Sequence, residues 1–403
     1  MALALPQLSL AGAAGLLAAL AVGLLGAALL LRPSGRAPVV LAAWPGLAWL
    51  YIQAIAAAAK GTPRKPRDAP AGGKAIQVML ARPVHFGHSR LRRYLGLAGF
   101  SEGTAGAVPL MYPVVEGFRL VIQCMVLPVF PFNVLGSVLA RTRVVALRRV
   151  GAEEKLTYSC RVEPGYRTTA KGDTEVDLVL ECRGAAPPAA AAAGGAAAPP
   201  GAAGSALVWR CVTTAIILSP RRNKGPKPAA GQEPAGAAAD AAAAPTPLVI
   251  DTWKLGPDTG RRYGALNGDL NPIHLHALTS SLFGFKRPIA HALFLTGRAE
   301  ASLRKAGLHP RYPLVLSADF KRPTLLPATL KCAWLGLAPG AATGAAAAGA
   351  GAAAPPSEAA VAAALGSAEG ARFAVLTEDL GKEVLVGSVS CQPEAVKAAL
   401  GEA

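Results

Sequence analysis

Three tracts dominated by alanine, glycine and proline, at 184–206, 225–247 and 338–357, constrain what this chain can fold into. Glycine and proline interspersed among alanine break a helix, and such tracts hold too little apolar bulk to order themselves. Structure must therefore come from the sequence between them. The first and third tracts interrupt strand-rich stretches at comparable places, as expanded loops between strands. The middle tract follows Arg221-Arg222-Asn223-Lys224 and links two folded units. Much of the 52% hydrophobic content is alanine in these tracts, so it overstates the core.

The same order of elements occurs on both sides of the middle tract. Residues 109–128 read as a mostly apolar helix, followed by strands near 134–150, 155–163, 174–182 and 206–218. After a strand at Leu248-Val249-Ile250, a second helix spans 288–306. Its apolar positions at 289, 292, 293, 295, 299 and 303 leave Arg298, Glu300, Arg304 and Lys305 toward solvent, and Gly307 suits its stop. Strands follow near 312–320, 328–337, 372–378 and 383–391. Helix-then-strands twice over predicts a diverged internal duplication.

The N-terminus differs in character. Residues 8–31 are uncharged and exceed the roughly 20 residues that cross a bilayer as a helix. Residues 38–59 are also uncharged, with Pro45 inside and Trp44, Trp49 and Tyr51 placed like interfacial aromatics. Lys60, Arg64, Lys65 and Arg67 follow. This predicts a membrane anchor over 1–67, either one span plus an interfacial helix or a two-span hairpin. The basic flank then places the folded units on the cytosolic, stromal or matrix side. A signal or transit peptide is the competing reading, opposed by the missing basic start and the long apolar run.

The net charge of +17 on a chain with 16% charged residues points to an anionic partner. No nucleic-acid-binding motif or aromatic platform accompanies the basic pairs, so nucleic acid is excluded and most of this charge is solvated surface. His85 and His88 have no nearby carboxylate or cysteine and read as surface or structural residues. The six cysteines show neither C-x-x-C pairs nor zinc spacing, which predicts buried free thiols and no metal.

Unusual polar chemistry is concentrated in 263–291, from Tyr263-Gly-Ala-Leu-Asn-Gly-Asp-Leu-Asn-Pro-Ile-His274 to Pro288-Ile-Ala-His291. Gly268 permits a turn that a side chain would hinder, and Pro272 keeps Asn271 out of helix. Asp269 and His274 are thus expected on a bend leading into a short helix, aimed into one pocket as a general acid/base pair. The block Gly268-Asp269-Leu270-Asn271-Pro272-Ile273-His274, with Tyr263 upstream, Ser280 downstream and Pro288–His291 beyond, resembles the signature of the MaoC-like dehydratases, the (R)-specific enoyl-CoA hydratases. Two positions depart from the pattern: Asn267 stands where a small residue is usual, and Ala292 where glycine is usual.

The resemblance implies an α+β chain of two hot-dog domains, each an antiparallel sheet wrapped around a central helix. The N-terminal domain, 75–220, would be degenerate, with Tyr112-Pro113 and Phe130-Pro131-Phe132 resembling the signature-free half of double hot-dog hydratases. A disordered linker, 221–247, would lead to the catalytic domain, 248–395. The implied activity is reversible hydration of a trans-2-enoyl thioester carried by coenzyme A or acyl carrier protein, without a cofactor. Asp269 and His274 would be catalytic. Gly268, Asn271, His291 and Ala292 would support the turn and the oxyanion donors. Tyr263, Lys286 and Arg287 are the candidates for substrate contact, and among the basic pairs Lys286, Arg287, Lys321 or Arg322 is the candidate for a coenzyme A phosphate. The chain would act as a monomer mimicking a dimer, or as a homodimer. Two other classes stay open: a catalytically silent acyl-thioester-binding protein at a membrane, and a hot-dog thioesterase.

Overall fold

The computed structural model describes residues 38–58, 76–101, 108–135, 137–185, 205–217, 247–337 and 370–401. The apolar run 8–31, the basic cluster 60–67, the linker up to residue 246 and nearly all of the other two low-complexity tracts lie outside the described residues. Strands β7 and β8 overlap the first tract at 184–185 and 205–206.

Two helices bury most of their residues, and a sheet encloses each. In the first unit the helix Tyr112–Val126 buries every residue except Arg119, and Pro113 occupies its first turn, where a missing N–H costs nothing. Its strands are β1 Val39–Leu41, β2 Gln77–Leu80, β3 Val84–His85, β4 Val138–Ala146, β5 Lys155–Val162, β6 Arg167–Thr168, β7 Thr174–Ala185 and β8 Ser205–Ile217. In the second unit the helix Ala292–Lys305 is enclosed by β9 Leu248–Leu255, β10 Leu314–Phe320, β11 Ala328–Leu337, β12 Gly370–Thr377 and β13 Glu383–Ser390. One sheet runs through both units in the order β1-β2-β5-β7-β8-β4-β10-β13-β12-β11-β9. The seam is the antiparallel pair β4–β10, with Val144 opposite Leu316. The short helix Pro393–Leu400 covers the outer face there, Val396 and Ala399 packing on Val145 and Val315.

A local pattern repeats in the two units. The helices His88–Ala98 and Thr259–Asn267 both end on a left-handed glycine, Gly99 at φ 74° and Gly268 at φ 84°. Five residues upstream of each stands a buried tyrosine, Tyr94 or Tyr263. Packing is reciprocal: the 259–267 helix lies on the 112–126 helix, and the 88–98 helix lies on the 292–305 helix. After Gly99 comes buried Phe100, and after Gly268 comes Asp269. The first unit thus carries an apolar ring where the second carries a carboxylate.

The structure corrects two expectations. Among the described residues no helix is long and apolar enough to cross a membrane. The second uncharged run is instead part of the folded body. Its β1 pairs parallel to β2, and its helix Leu47–Ala58 packs against the 112–126 helix. Leu50 is completely buried, worth about 2 kcal/mol over leaving it in water. Trp44 meets Tyr158 edge-on at 5.2 Å rather than lying at a lipid interface. Second, Glu300 is fully buried rather than solvent-facing, because the first unit covers that side of its helix. The 88–98 helix, with Leu91, Tyr94 and Ala98 facing inward, is an element the sequence reading did not assign.

Candidate active site

The bend at 268–274 is built from competing local preferences that tertiary contacts resolve. The 259–267 helix stops at Gly268, whose positive φ suits glycine and whose N–H closes onto the Gly264 carbonyl at 2.8 Å. Gly264 lets the bend approach closely, since a Cβ there would lie 2.6 Å from the Asp269 carbonyl oxygen. Asn271 is extended, and Pro272–His274 form one 3-10 turn.

Asp269 is held at every backbone polar group. Its N–H donates to Asn267 Oδ1 at 2.8 Å, and its carbonyl accepts from His291 Nε2–H at 3.1 Å. Its carboxylate Oδ1 accepts the Asn271 N–H at 3.2 Å. Asn267, the departure from the usual small residue, is therefore buried and acts as a brace. Asn271 also reaches the first unit, its Nδ2 donating to the Ser137 carbonyl at 3.4 Å.

His274 Nδ1–H donates to the Ile289 carbonyl at 2.7 Å. That bond fixes the neutral tautomer with the lone pair on Nε2, which stands 4.0 Å from Asp269 Oδ2. The separation is too long for a direct hydrogen bond. His291 stacks on His274, ring centroids 3.6 Å apart and planes 21° from parallel. Burial holds the His274 imidazole below its ordinary range, against the opposing pull of the Asp269 charge. Burial pushes His291 further down, helped by His274 beside it. Burial raises the Asp269 carboxyl, opposed by His274 and the Asn271 N–H. Burial thus works against charge at all three groups and holds the two imidazoles toward their neutral forms.

Ligand atoms of Asp269, His274 and His291 lie within 4.8 Å of one another, so the set needs testing as a metal site. Two features oppose it. His291 spends Nε2–H on the Asp269 carbonyl. The two rings are also stacked face to face, 21° from parallel, so their in-plane lone pairs run side by side instead of converging from different directions.

Asp269 and His274 open onto a cavity of about 740 Å³ shared by both units. Phe118, Val121, Ile122 and Met125 of the 112–126 helix line it, with Leu178 and Ala215 of the first sheet. The wall beside Asp269 and His274 includes Tyr263, His291, Ala292 and Leu293. His291 is the N-cap of the 292–305 helix, with no side-chain cap bond. The N–H groups of Ala292, Leu293 and Phe294 precede the first intrahelical bond, Leu295 N–H to the His291 carbonyl at 3.1 Å. These donors and the helix dipole favour negative charge at this wall.

The family described as MaoC like domain matches residues 238–334, from the end of the linker into β11. The chain carries a MaoC-like domain. Over 278 residues, 68% of this chain and 85% of the other protein, it is 27% identical to 3-hydroxyacyl-thioester dehydratase X of Mycobacterium tuberculosis. The crystal structure of HtdX from the same organism superposes with a TM-score of 0.53 at 20% identity, covering 79% of this chain and 100% of that one. A MaoC-like dehydratase from Phytophthora capsici superposes with a TM-score of 0.50 at 16% identity, covering 82% and 98%. These likenesses show the hot-dog fold.

The other residues singled out from the sequence fall in different places. Tyr263 is buried beside His291 and Phe294, at centroid distances of 5.0 and 5.4 Å. Ser280 is buried, its hydroxyl donating to the Ala277 and Phe285 carbonyls. His276 is exposed and caps the short helix Ala277–Ser281. Lys286 and Arg287 are exposed and do not line this cavity, because the loop turns them outward before Pro288. Arg287 lines a neighbouring groove with Lys254 and Arg322. Lys321 and Arg322 do line the main cavity. Two contributors have no motif to announce them: Asn267 as a brace, and Tyr51 on the upstream helix, which also lines the cavity.

Proposed function

We propose that the chain is a hydro-lyase that adds water across the double bond of a trans-2-enoyl thioester to give the (3R)-hydroxyacyl thioester, and the reverse. The observation that carries this reading is the pairing of Asp269 Oδ2 with His274 Nε2, 4.0 Å apart on the wall of an apolar cavity. One water molecule accepts that spacing, donating to Asp269 and to the His274 lone pair. His274 Nε2 and the carboxylate draw off its proton as the oxygen bonds to C3. The C2=C3 electrons move toward the thioester oxygen, where the Ala292 and Leu293 N–H groups stabilise the developing enolate. A proton returned from the pair to C2 completes the addition. The name of the Mycobacterium relative supports the same chemistry.

The acyl chain runs along Val121, Ile122 and Met125 of the first unit. Lys321 and Arg322 support an anionic carrier such as coenzyme A or acyl carrier protein. The apolar run 8–31 and the exposed Leu278 and Leu282, at 79% and 75% of full exposure, support attachment to a membrane surface. Sedimentation of the tagged full chain with membranes, resistant to high salt, tests that attachment.

The activity is tested by supplying enoyl-CoAs of graded length to the full chain. The reading predicts loss of enoyl absorbance and a (3R)-alcohol product. Release of free thiol without hydration would instead make the protein a thioesterase, and neither signal would leave a binding protein.

A further inference from the structure

The catalytic bend is gripped by a helix that lies far upstream of the MaoC-like domain. Tyr51 sits in the middle of the Leu47–Ala58 helix, and its hydroxyl does two things at once. It donates to the Gly268 carbonyl at 3.0 Å and accepts the Leu270 N–H at 2.5 Å. These peptide groups lie on either side of Asp269. With the Asn267 bond to the Asp269 N–H and the His291 bond to the Asp269 carbonyl, every backbone polar group from the Gly268 carbonyl to the Leu270 N–H has a partner. One hydroxyl supplies two of those four. Leu47 packs on the same spot: a Cβ at Gly268 would stand 2.7 Å from Leu47 Cδ2. Further along, Gln53 accepts a bond from Gln123 at 3.3 Å, tying the helix to the cavity wall. Burial, reinforced by the Asp269 charge, drives the Tyr51 phenol far above the ordinary tyrosine range, so it stays protonated and keeps donating to Gly268.

We propose that Tyr51 is a positioning residue for Asp269, and that the 47–58 helix is therefore an integral part of the active site. The proposal rests on the hydration reading for its kinetic consequence and not for its structural one. Without the hydroxyl, the Gly268 carbonyl and the Leu270 N–H keep only their own 3.1 Å contact across Asp269, and the bend loses its tie to the 47–58 helix. The carboxylate's backbone then moves relative to His274, and misplacement near 1 Å costs on the order of 100-fold in rate.

The test uses Tyr51→Phe in the full chain, with two independent readouts. In hydration of crotonyl-CoA, kcat is expected to fall at least tenfold while KM stays within threefold, since the phenyl ring still lines the cavity. In amide hydrogen exchange, Leu270 and its neighbours in 268–271 are expected to exchange at least tenfold faster, with the 292–305 helix as protected as before. A general loss of folding would speed exchange in that helix too and would overturn a positioning role. Unchanged exchange at 268–271 would also overturn it, whatever the kinetics. Faster exchange with kcat within twofold of the parent would show a contact irrelevant to turnover and defeat the proposal while the hydration reading stands. A parent chain with no hydration activity would sink that reading, and the kinetic role of Tyr51 with it.

Discussion

Replacing Glu300 with glutamine separates the folded structure from a naive reading of its helix. By spacing, Glu300 and Arg304 are an i,i+4 pair on a solvent-facing side, worth about 0.3–0.5 kcal/mol. The structure places Glu300 at zero exposure, with Arg304 Nε at 3.0 Å and Nη2 at 2.7 Å from Oε1. The carboxylate also accepts the N–H groups of Leu110 at 2.8 Å and Met111 at 3.1 Å, capping the 112–126 helix from the other unit. Glutamine keeps the shape, removes the charge and turns one oxygen into a donor that faces a donor. Breaking one side of a buried pair costs roughly 3–5 kcal/mol. The lower end applies, because the Arg304 side chain keeps 17% exposure and glutamine retains one acceptor. The expected loss is about 3 kcal/mol, or roughly 6–12 °C in Tm for a folded body of this size. Thermal melts and urea unfolding of Glu300→Gln measure it. A loss below about 1 kcal/mol would refute the cross-unit cap and return Glu300 to the surface.

Three further outcomes follow from the site. Gly264→Ala should raise helix propensity by about 1 kcal/mol, yet the 2.6 Å approach of its Cβ to the Asp269 carbonyl forces the bend to shift, so kcat should fall at least tenfold; an unchanged kcat counts against the geometry. In the proposed reaction the working pair is a carboxylate plus a neutral imidazole, and acid removes it. Burial holds His274 below its usual value, about 6.5, so kcat/KM should stay level through neutral pH and decline only on the acid side of that value; a limb centred above pH 7 would contradict it. Val121→Trp should cut kcat/KM for long enoyl-CoAs at least tenfold and leave crotonyl-CoA within threefold, because Val121 lines the cavity from the first unit; equal losses at all lengths would remove the acyl path from that wall.

The sequence carried the local bend at 268–274 better than its surroundings. The Gly268–His274 block and the Pro288–His291 block are local, and their glycine and proline punctuation survives folding, so the bend was legible. The strands near 155–163, 206–218 and 328–337 were legible because alternation and β-branched runs mark them. The 47–58 helix was not. Leu-Ala-Trp-Leu-Tyr-Ile-Gln-Ala-Ile has the same aversion to water whether its destination is lipid or a protein core, and hydropathy does not distinguish the two. The 88–98 helix was masked by its arginines, since Leu91, Tyr94 and Ala98 make a stripe only three residues wide. Asn267 read as a flaw in the pattern because the N–H it braces is two residues ahead, a contact visible only once the bend is formed.

The most direct test is hydration of crotonyl-CoA by the full chain and by Asp269→Asn. The account predicts turnover by the parent and a kcat at least 100-fold lower in the variant, with KM little changed, because the amide fills the same space without the charge. Equal turnover by the two proteins would contradict it.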